Sequence, residues 1–277
     1  MNEQIICHKP TRSKPKGKSE YVSDNSTTDL QNTANPSLIY GRNPVLEALS
    51  ADAGIDKIML QDGITSANKI TALAREKGVQ FQFVHKKKLD EVTENAAHQG
   101  IVAFVAARKY VEVDEILAIA RERGEPPFVV IAENLTDPHN LGSVIRSANA
   151  AGAHGVIIPK NRSATLNATV AKTSAGAVMH TAVAKVANIA QTIERLKKDG
   201  VWIVGTDLSA SQTPYDVDMK GAIAVVIGSE DKGISRLVRE SCDFLTKIPM
   251  MGEVGSLNAG AACAVLLFEA VRQRTSD

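Results

Sequence analysis

The strongest constraint on the fold of this chain is a set of five short aliphatic runs, at residues 128–132, 155–158, 201–205, 222–227 and 244–248. They are apolar apart from Thr246 and Lys247 and do not alternate with polar residues. A strand of that kind belongs in a parallel sheet whose two faces are both covered. The stretches between them have helical character: 142–151, about 165–177, 189–198, 234–241 and a long one at 256–274. The expected fold class is therefore α/β, with a parallel sheet in the C-terminal part.

In such a sheet the chemistry gathers at the carboxyl ends of the strands. Three polar blocks stand there: residues 134–148, 226–234 and 248–258. In the first, Asp137-Pro138-His139-Asn140-Leu141-Gly142 forms a turn before a helix. Asn140 there is a candidate helix cap. Arg146 follows in that helix, expected near its start, where its planar fork could hold a phosphate. In the second, Gly228-Ser229-Glu230-Asp231-Lys232-Gly233 has the glycine spacing of a phosphate loop. Ile234 stands where that loop requires lysine, so it is not one. Gly228, ending a buried strand, would permit close backbone approach to a ligand. The third leads into the last helix, with Ser256 as a candidate cap and Ala259 to Ala262 as a small-residue surface for a neighbouring helix or a ligand.

Ahead of this part lies a smaller α/β unit, expected at 38–110. Its helices are read at Asn43-Pro44 onward, at 64–77 and from Leu89, and its strands at 55–60, 79–84 and 101–106. Residues 111–127 read as a joint, a short helix at 113–123 broken by Gly124-Glu125-Pro126-Pro127. Residues 1–37 are polar, with few apolar residues, and read as a disordered tail. Their cluster Lys9, Arg12, Lys14, Lys16 and Lys18 is a solvated charge run or an RNA-grazing arm.

Bulk properties narrow the classes. The 277 residues, 44% of them hydrophobic, suffice for one or two domains with real cores. A net charge of +1 announces no overall polyanion partner, although one basic face can hide in that total. Cys7, Cys242 and Cys263 are odd in number and scattered, which points to a reducing cytoplasm rather than to disulfides or a zinc ribbon. No apolar run approaches the ~18 residues of a membrane span, so no membrane is expected. No apolar signal core is seen at the N-terminus. The six histidines show no metal-ligand spacing, and no metal is expected. No G-x-G-x-x-G follows a strand, which argues against a dinucleotide-dependent metabolic enzyme, and there is no G-x-S-x-G elbow.

Together the three blocks resemble the signature motifs of the SpoU/TrmH branch of the SPOUT RNA methyltransferases, over about residues 128–274. Tyr40-Gly41-Arg42-Asn43-Pro44-Val45 and His98-Gln99-Gly100-Ile101-Val102-Ala103 are similar to the L30e-like substrate-binding domain of that family. Within it the chain looks most like the 23S rRNA guanosine-2′-O-methyltransferases. The resemblance implies a domain at 128–277 with a trefoil knot, an exception to the usual absence of knots. It implies S-adenosylmethionine as cofactor, with Gly228, Ile248 and Leu257 at its contact positions. Asn140, Arg146, Glu230, Ser256 and Asn258 match the polar active-site positions, with Arg146 as the family's proposed base. A guanidinium stays protonated to pH ~12 or above, so a charge-stabilising role is equally open. The resemblance also implies a homodimer through the last helix, a site shared between subunits, and RNA (23S rRNA or a pre-50S particle) as partner. Arg42 and Lys86-Lys87-Lys88 are candidate RNA contacts. Two departures stand out: Ser229-Glu230-Asp231-Lys232-Gly233 where relatives often have Glu-Gly-Glu-Gly, and Ala259-Gly260 where a Val-Ser pair is common. Other readings of the same residues are methylation of tRNA or of another rRNA nucleotide, and a non-catalytic RNA-binding assembly factor.

Overall fold

The computed structural model describes residues 38–276 apart from 52, 65 and 66, so the expected tail at 1–37 lies outside the described residues. The first sheet is built from β1 (Leu38–Tyr40), β2 (Ile55–Gln61), β3 (Gln80–Val84) and β4 (Ile101–Val105), in the order β1-β4-β2-β3. Only β2 and β3 pair in parallel; β4 runs antiparallel to both β1 and β2. Helices α1 (Arg42–Ser50), α2 (Asn68–Glu76) and α3 (Lys86–Val92) cover it. Alternation explains the two faces. Ile58, Leu60, Ile101 and Ala103 pack with α1 and α2, while Met59 and Val102 face the side that holds Leu89 of α3. The sequence reading missed β1, whose three residues are too few for a periodic signal. It also began α3 three residues late and the helix at 64–77 four residues early.

Helix α4 (Val113–Arg123) starts with a reciprocal capping box between Glu112 and Glu115 and ends at Gly124 in the left-handed region, φ 66°. It buries Val113, Ile116 and Leu117 against Val129, Ile131 and Ile157 of the second sheet, so the segment read as a joint supplies core.

That second sheet contains β5 (Phe128–Ala132), β6 (Gly155–Pro159), β7 (Ala182–Val186), β8 (Trp202–Thr206), β9 (Ile223–Ile227) and β10 (Phe244–Thr246). The order is β10-β8-β9-β5-β6-β7, and every pairing is parallel. The apolar runs conceal a period of two. Val130, Ala132, Val225 and Ile227 face α5 (Pro138–Ala150), α6 (Ala168–Thr173) and α9 (Ala259–Thr275). Val129, Ile131, Ala224 and Val226 face α4, α7 (Ile189–Lys198) and α8 (Arg236–Ser241). Each fully buried aliphatic side chain contributes about 1.5–3 kcal/mol. The sixth strand, β7, escaped the sequence reading because Lys185 interrupts its short apolar run; it is the last strand of the sheet, bridged on its outer side by Val111 at Ala184.

Two polar contacts join the sheets. Asp56 of β2 is buried and takes an ion pair from Lys185 of β7 and a hydrogen bond from the Tyr110 hydroxyl at 3.2 Å. Burial and the adjacent Asp56 charge push the Tyr110 phenol up, so its O–H remains a donor, and its oxygen accepts from Leu166 N at 3.1 Å. The other Asp56 oxygen has no partner among the described residues. Such a buried pair adds little net stability but is costly to break, which favours one relative placement. Elsewhere Gln80 Nε2 donates to Asn161 Oδ1 at 2.7 Å and Lys160 O at 3.3 Å.

His154 sits at the opposite end of the larger sheet, buried. Its Nδ1 accepts from Phe128 N at 3.0 Å, and its Nε2 bonds Glu125 at 3.0 Å. Burial holds its pKa below the ordinary value, against the pull of Glu125. The folded state therefore binds fewer protons than the unfolded chain, and stability complete above pH ~6.5 is lost as the pH falls below it. Denaturant titrations at pH 7.5 and 5.5 should show this loss, and His154→Gln should flatten it. An equal slope in both proteins would show that other groups carry the effect.

Candidate active site

The parallel order places the ends of β8, β9, β5 and β10 along one edge of the larger sheet, and there the three blocks meet. In the first, α5 begins at Pro138 rather than Gly142. Asp137 caps it, accepting from His139 N at 2.9 Å, with Pro138 in the first turn. Asn140 is thus inside the helix and is not its cap. Arg146 is the ninth of the 13 residues, mid-helix and exposed, not near the start. In the third block the cap of α9 is Asn258, whose Oδ1 accepts from Gly260 N at 2.9 Å, and not Ser256.

One carboxylate oxygen gathers these segments. Glu230 Oε1 accepts from Asn140 Nδ2 at 2.9 Å, from Asn258 Nδ2 at 2.7 Å and from Ala259 N at 3.3 Å. Asn258 Nδ2 also donates to Asn140 Oδ1 at 2.7 Å. Neither Glu230 nor Asn140 is bonded to Arg146. Among the described residues Arg146 makes no hydrogen bond or ion pair. Two close approaches align the helices. A Cβ on Gly142 would lie 1.9 Å from Thr173 Oγ1 of α6, and one on Gly260 2.1 Å from Ser143 Oγ of α5. The small residues of the last helix therefore serve, at Gly260, a neighbouring helix.

Beside this network lies a cavity of about 350 Å³. Gly228, Glu230, Ile248, Ser256 and Leu257 all line it; Asn140, Arg146 and Asn258 do not. Gly228 is needed for a reason the sequence concealed. Its Cβ would lie 2.1 Å from the carbonyl carbon of Gly233, because loop 229–233 folds back on the strand end. Arg42 opens α1 in the smaller sheet unit and donates its backbone N–H to Gln99 Oε1 at 3.1 Å.

Sequence reasoning missed two supports of this cavity. Glu133, buried at the end of β5, accepts from Ser235 N at 2.8 Å and so anchors the far end of the Gly228 loop. Asp207, at the end of β8, accepts from Ser209 N at 2.7 Å and Ser209 Oγ at 2.6 Å and pairs with Arg239 at 3.2 Å. Those contacts, the Ser209 hydroxyl foremost, lower its pKa. The available signals were an acid directly after an aliphatic run and the Asp-x-Ser turn pattern. Among the described residues no three His, Cys, Asp or Glu are grouped to hold a metal, and no helix is long and apolar enough to cross a membrane.

Comparison with known proteins agrees with this geometry. Residues 127–268 match the SpoU rRNA methylase family, and residues 38–111 match the RNA 2′-O ribose methyltransferase substrate-binding family. A Bacillus subtilis protein, YacO, assigned to the TrmH family of tRNA/rRNA methyltransferases, is 46% identical over 238 residues, 85% of this chain and 95% of its own. A Staphylococcus aureus protein of the same assignment is 44% identical over 239 residues, 86% and 96% of the two chains. The crystal structure of the SpoU methyltransferase AviRb from Streptomyces viridochromogenes with AdoMet has a TM-score of 0.56 at 26% identity, covering 87% of this chain and 91% of that one. An AdoMet-bound rRNA methyltransferase from Sinorhizobium meliloti gives 0.54 at 25% identity, covering 86% and 88%.

The Glu133 anchor can be tested directly. Glu133→Leu leaves the Ser235 amide without its acceptor, an unsatisfied group worth about 1–3 kcal/mol. Amide exchange across 229–235 should speed up roughly tenfold or more, while Glu133→Gln, which keeps an acceptor oxygen, stays near wild type. Unchanged protection in the leucine variant would remove Glu133 from this role.

Proposed function

Because the chain belongs to the SpoU rRNA methylase family and is an S-adenosylmethionine-dependent RNA methyltransferase, we propose that it methylates a ribose 2′-hydroxyl, on a guanosine of 23S rRNA, in the free RNA or a pre-50S particle. The observation that carries this reading is the junction at Glu230, which ties Asn140 and Asn258 to a cavity wall. The proposed organisation is the tail 1–37, a substrate-binding domain at 38–110, a joint at 111–127 and a methyltransferase domain at 128–277. The threading of that last domain as a trefoil knot is part of the proposal. Its place of action would be the cytoplasm, with its RNA.

The cavity suits the cofactor. Leu208, Ile248 and Leu257 offer apolar faces for a heteroaromatic base, and the strand-end loops offer backbone donors and acceptors. Of the cations that line it, Arg239 is paired with Asp207. Gly228, Ile248 and Leu257 would hold the cofactor, which when bound supplies an activated methyl group. The chain's residues must align the acceptor oxygen, exclude water and accommodate the hydroxyl proton. Asn140, Ser256 and Asn258 would orient the ribose, with Glu230 fixing both asparagines. Arg146 would stay cationic and stabilise the alkoxide that forms as the proton passes to a phosphate oxygen or water.

An arginine with no partner among the described residues fits a site shared between two subunits. Helix α9 packs on α5, and its outer stripe keeps Val265 and Phe268 exposed, 38% and 49%. A homodimer through this helix would cover that stripe and carry Arg146 to its partner's cavity.

Three outcomes are expected. Arg146→Ala should keep cofactor affinity within about threefold and lose methyl transfer by roughly 10²-fold or more; wild-type turnover would sink the assignment. Gly228→Ala should weaken S-adenosylmethionine binding more than about tenfold in calorimetry, since the backbone of Gly233 occupies the Cβ position. Mixed dimers of the two variants should regain activity if Arg146 acts across the interface, and should stay inactive if it acts within its own chain. The target itself is read by incubating the wild type with labelled cofactor and unmodified 23S fragments or tRNA, then mapping the 2′-O-methyl. A methyl on tRNA alone would keep the chemistry and move the substrate.

A further inference from the structure

Strand β3 is the outer strand of the smaller sheet, and it leaves an aromatic side chain uncovered. Phe83 is 52% exposed. Its ring meets Phe81 edge to face at 6.2 Å, and the Arg75 guanidinium lies 5.3 Å over the Phe81 ring. The ring is thus held in place from below while one side stays open. An edge strand that exposes a large apolar group invites a partner.

The charges beside it say which partner. Just past β3, Lys86 pairs with Asp90 at 3.0 Å and Lys88 with Glu91 at 3.3 Å, so those acids are neutralised and Lys87 is left over. At the near end of β3, Gln80 is bonded to loop 160–163, which holds exposed Lys160 and Arg162. Among the described residues the side chains of Lys87, Lys160 and Arg162 form no ion pair or hydrogen bond. Arg162 holds its backbone at φ 58°, in the left-handed region. The same loop is bonded to the first block, Ala164 N donating to Leu135 O at 2.7 Å. The open ring therefore lies on an edge strand with Lys87 just past one end and Lys160 and Arg162 beside the other, in a loop that is bonded to the first block.

We propose that Phe83 is a stacking platform for an unpaired base of the RNA substrate, with Lys87, Lys160 and Arg162 holding the neighbouring phosphates. The proposal rests on the RNA methyltransferase reading above and names the form of RNA recognised, a single-stranded segment of the substrate. Stacking on an aromatic ring tolerates any base, and the cations follow the backbone, so this surface supplies affinity and register rather than base identity.

The test uses the full chain and a fluorescent 23S rRNA fragment with a single-stranded loop. Phe83→Ala should weaken RNA binding roughly tenfold, whereas Phe83→Trp should bind within about threefold of wild type. In turnover, Phe83→Ala should raise the KM for RNA and leave kcat at saturating RNA and the affinity for S-adenosylmethionine unchanged. Replacing Lys87, Lys160 and Arg162 together by alanine should flatten the dependence of log affinity on log salt by about two units. An alanine variant that binds RNA like wild type overturns the platform, as does one whose only change is its oligomeric state in light scattering, which would give the surface to a protein partner. If the wild type transfers methyl to RNA while Phe83→Ala is unaltered, this inference alone falls. If the wild type binds cofactor and transfers methyl to no RNA, the functional reading falls first.

Discussion

Uniform parallel pairing in the larger sheet is the constraint from which the rest follows. Each strand must return by a crossover, so all six end on the same edge. The order β10-β8-β9-β5 then sets side by side strand ends that the chain reaches as much as 114 residues apart, from Ala132 to Thr246. Burial on both faces holds this order, because the alternate residues of β5 and β9 each fill one of two separate cores. A polar substitution in either strand would leave an unsatisfied group in a dry layer, at a cost of a few kcal/mol.

On that edge a few polar contacts convert proximity into geometry. Glu230 Oε1 takes hydrogen bonds from both of the other blocks, and bonds to a charged acceptor are worth about 1.5–3 kcal/mol each. Glu133 and Asp207 hold the loops on either side of the cavity. Contacts as close as these need missing side chains: Gly142 and Gly260 let three helices approach, and Gly228 lets its own loop fold back. The cavity is thus shaped by backbone turns, with these side chains acting mainly to fix those turns.

The smaller sheet meets the edge of the larger one through Asp56, Lys185 and Tyr110, and again through Gln80 and loop 160–163. Both contacts fall on β7 and on the turn after β6, none of whose residues lines the cavity. The smaller unit therefore leaves open the place where the blocks converge.

Much of this was legible in the residues themselves. The aliphatic runs announced β5, β6, β8, β9 and β10, and α4 and α7 were read to the residue, because continuous apolar burial and amphipathic spacing are local properties. The resemblance carried by the three blocks pointed to Gly228, Glu230, Ile248, Ser256 and Leu257, which share one cavity. Other features were invisible there. The strand β7 is masked by Lys185 in its short apolar run, and the start of α5 was misplaced because Asp137 caps where Asn140 was expected to. Arg146 was expected near the helix start, yet it is mid-helix and turned outward to solvent. The sequence alone determined which segments are buried and which residue types stand at the strand ends. Only the tertiary structure decided which of them touch, because hydrogen bonds between Glu230, Asn140 and Asn258 join positions up to 118 residues apart, a separation over which no local pattern carries information.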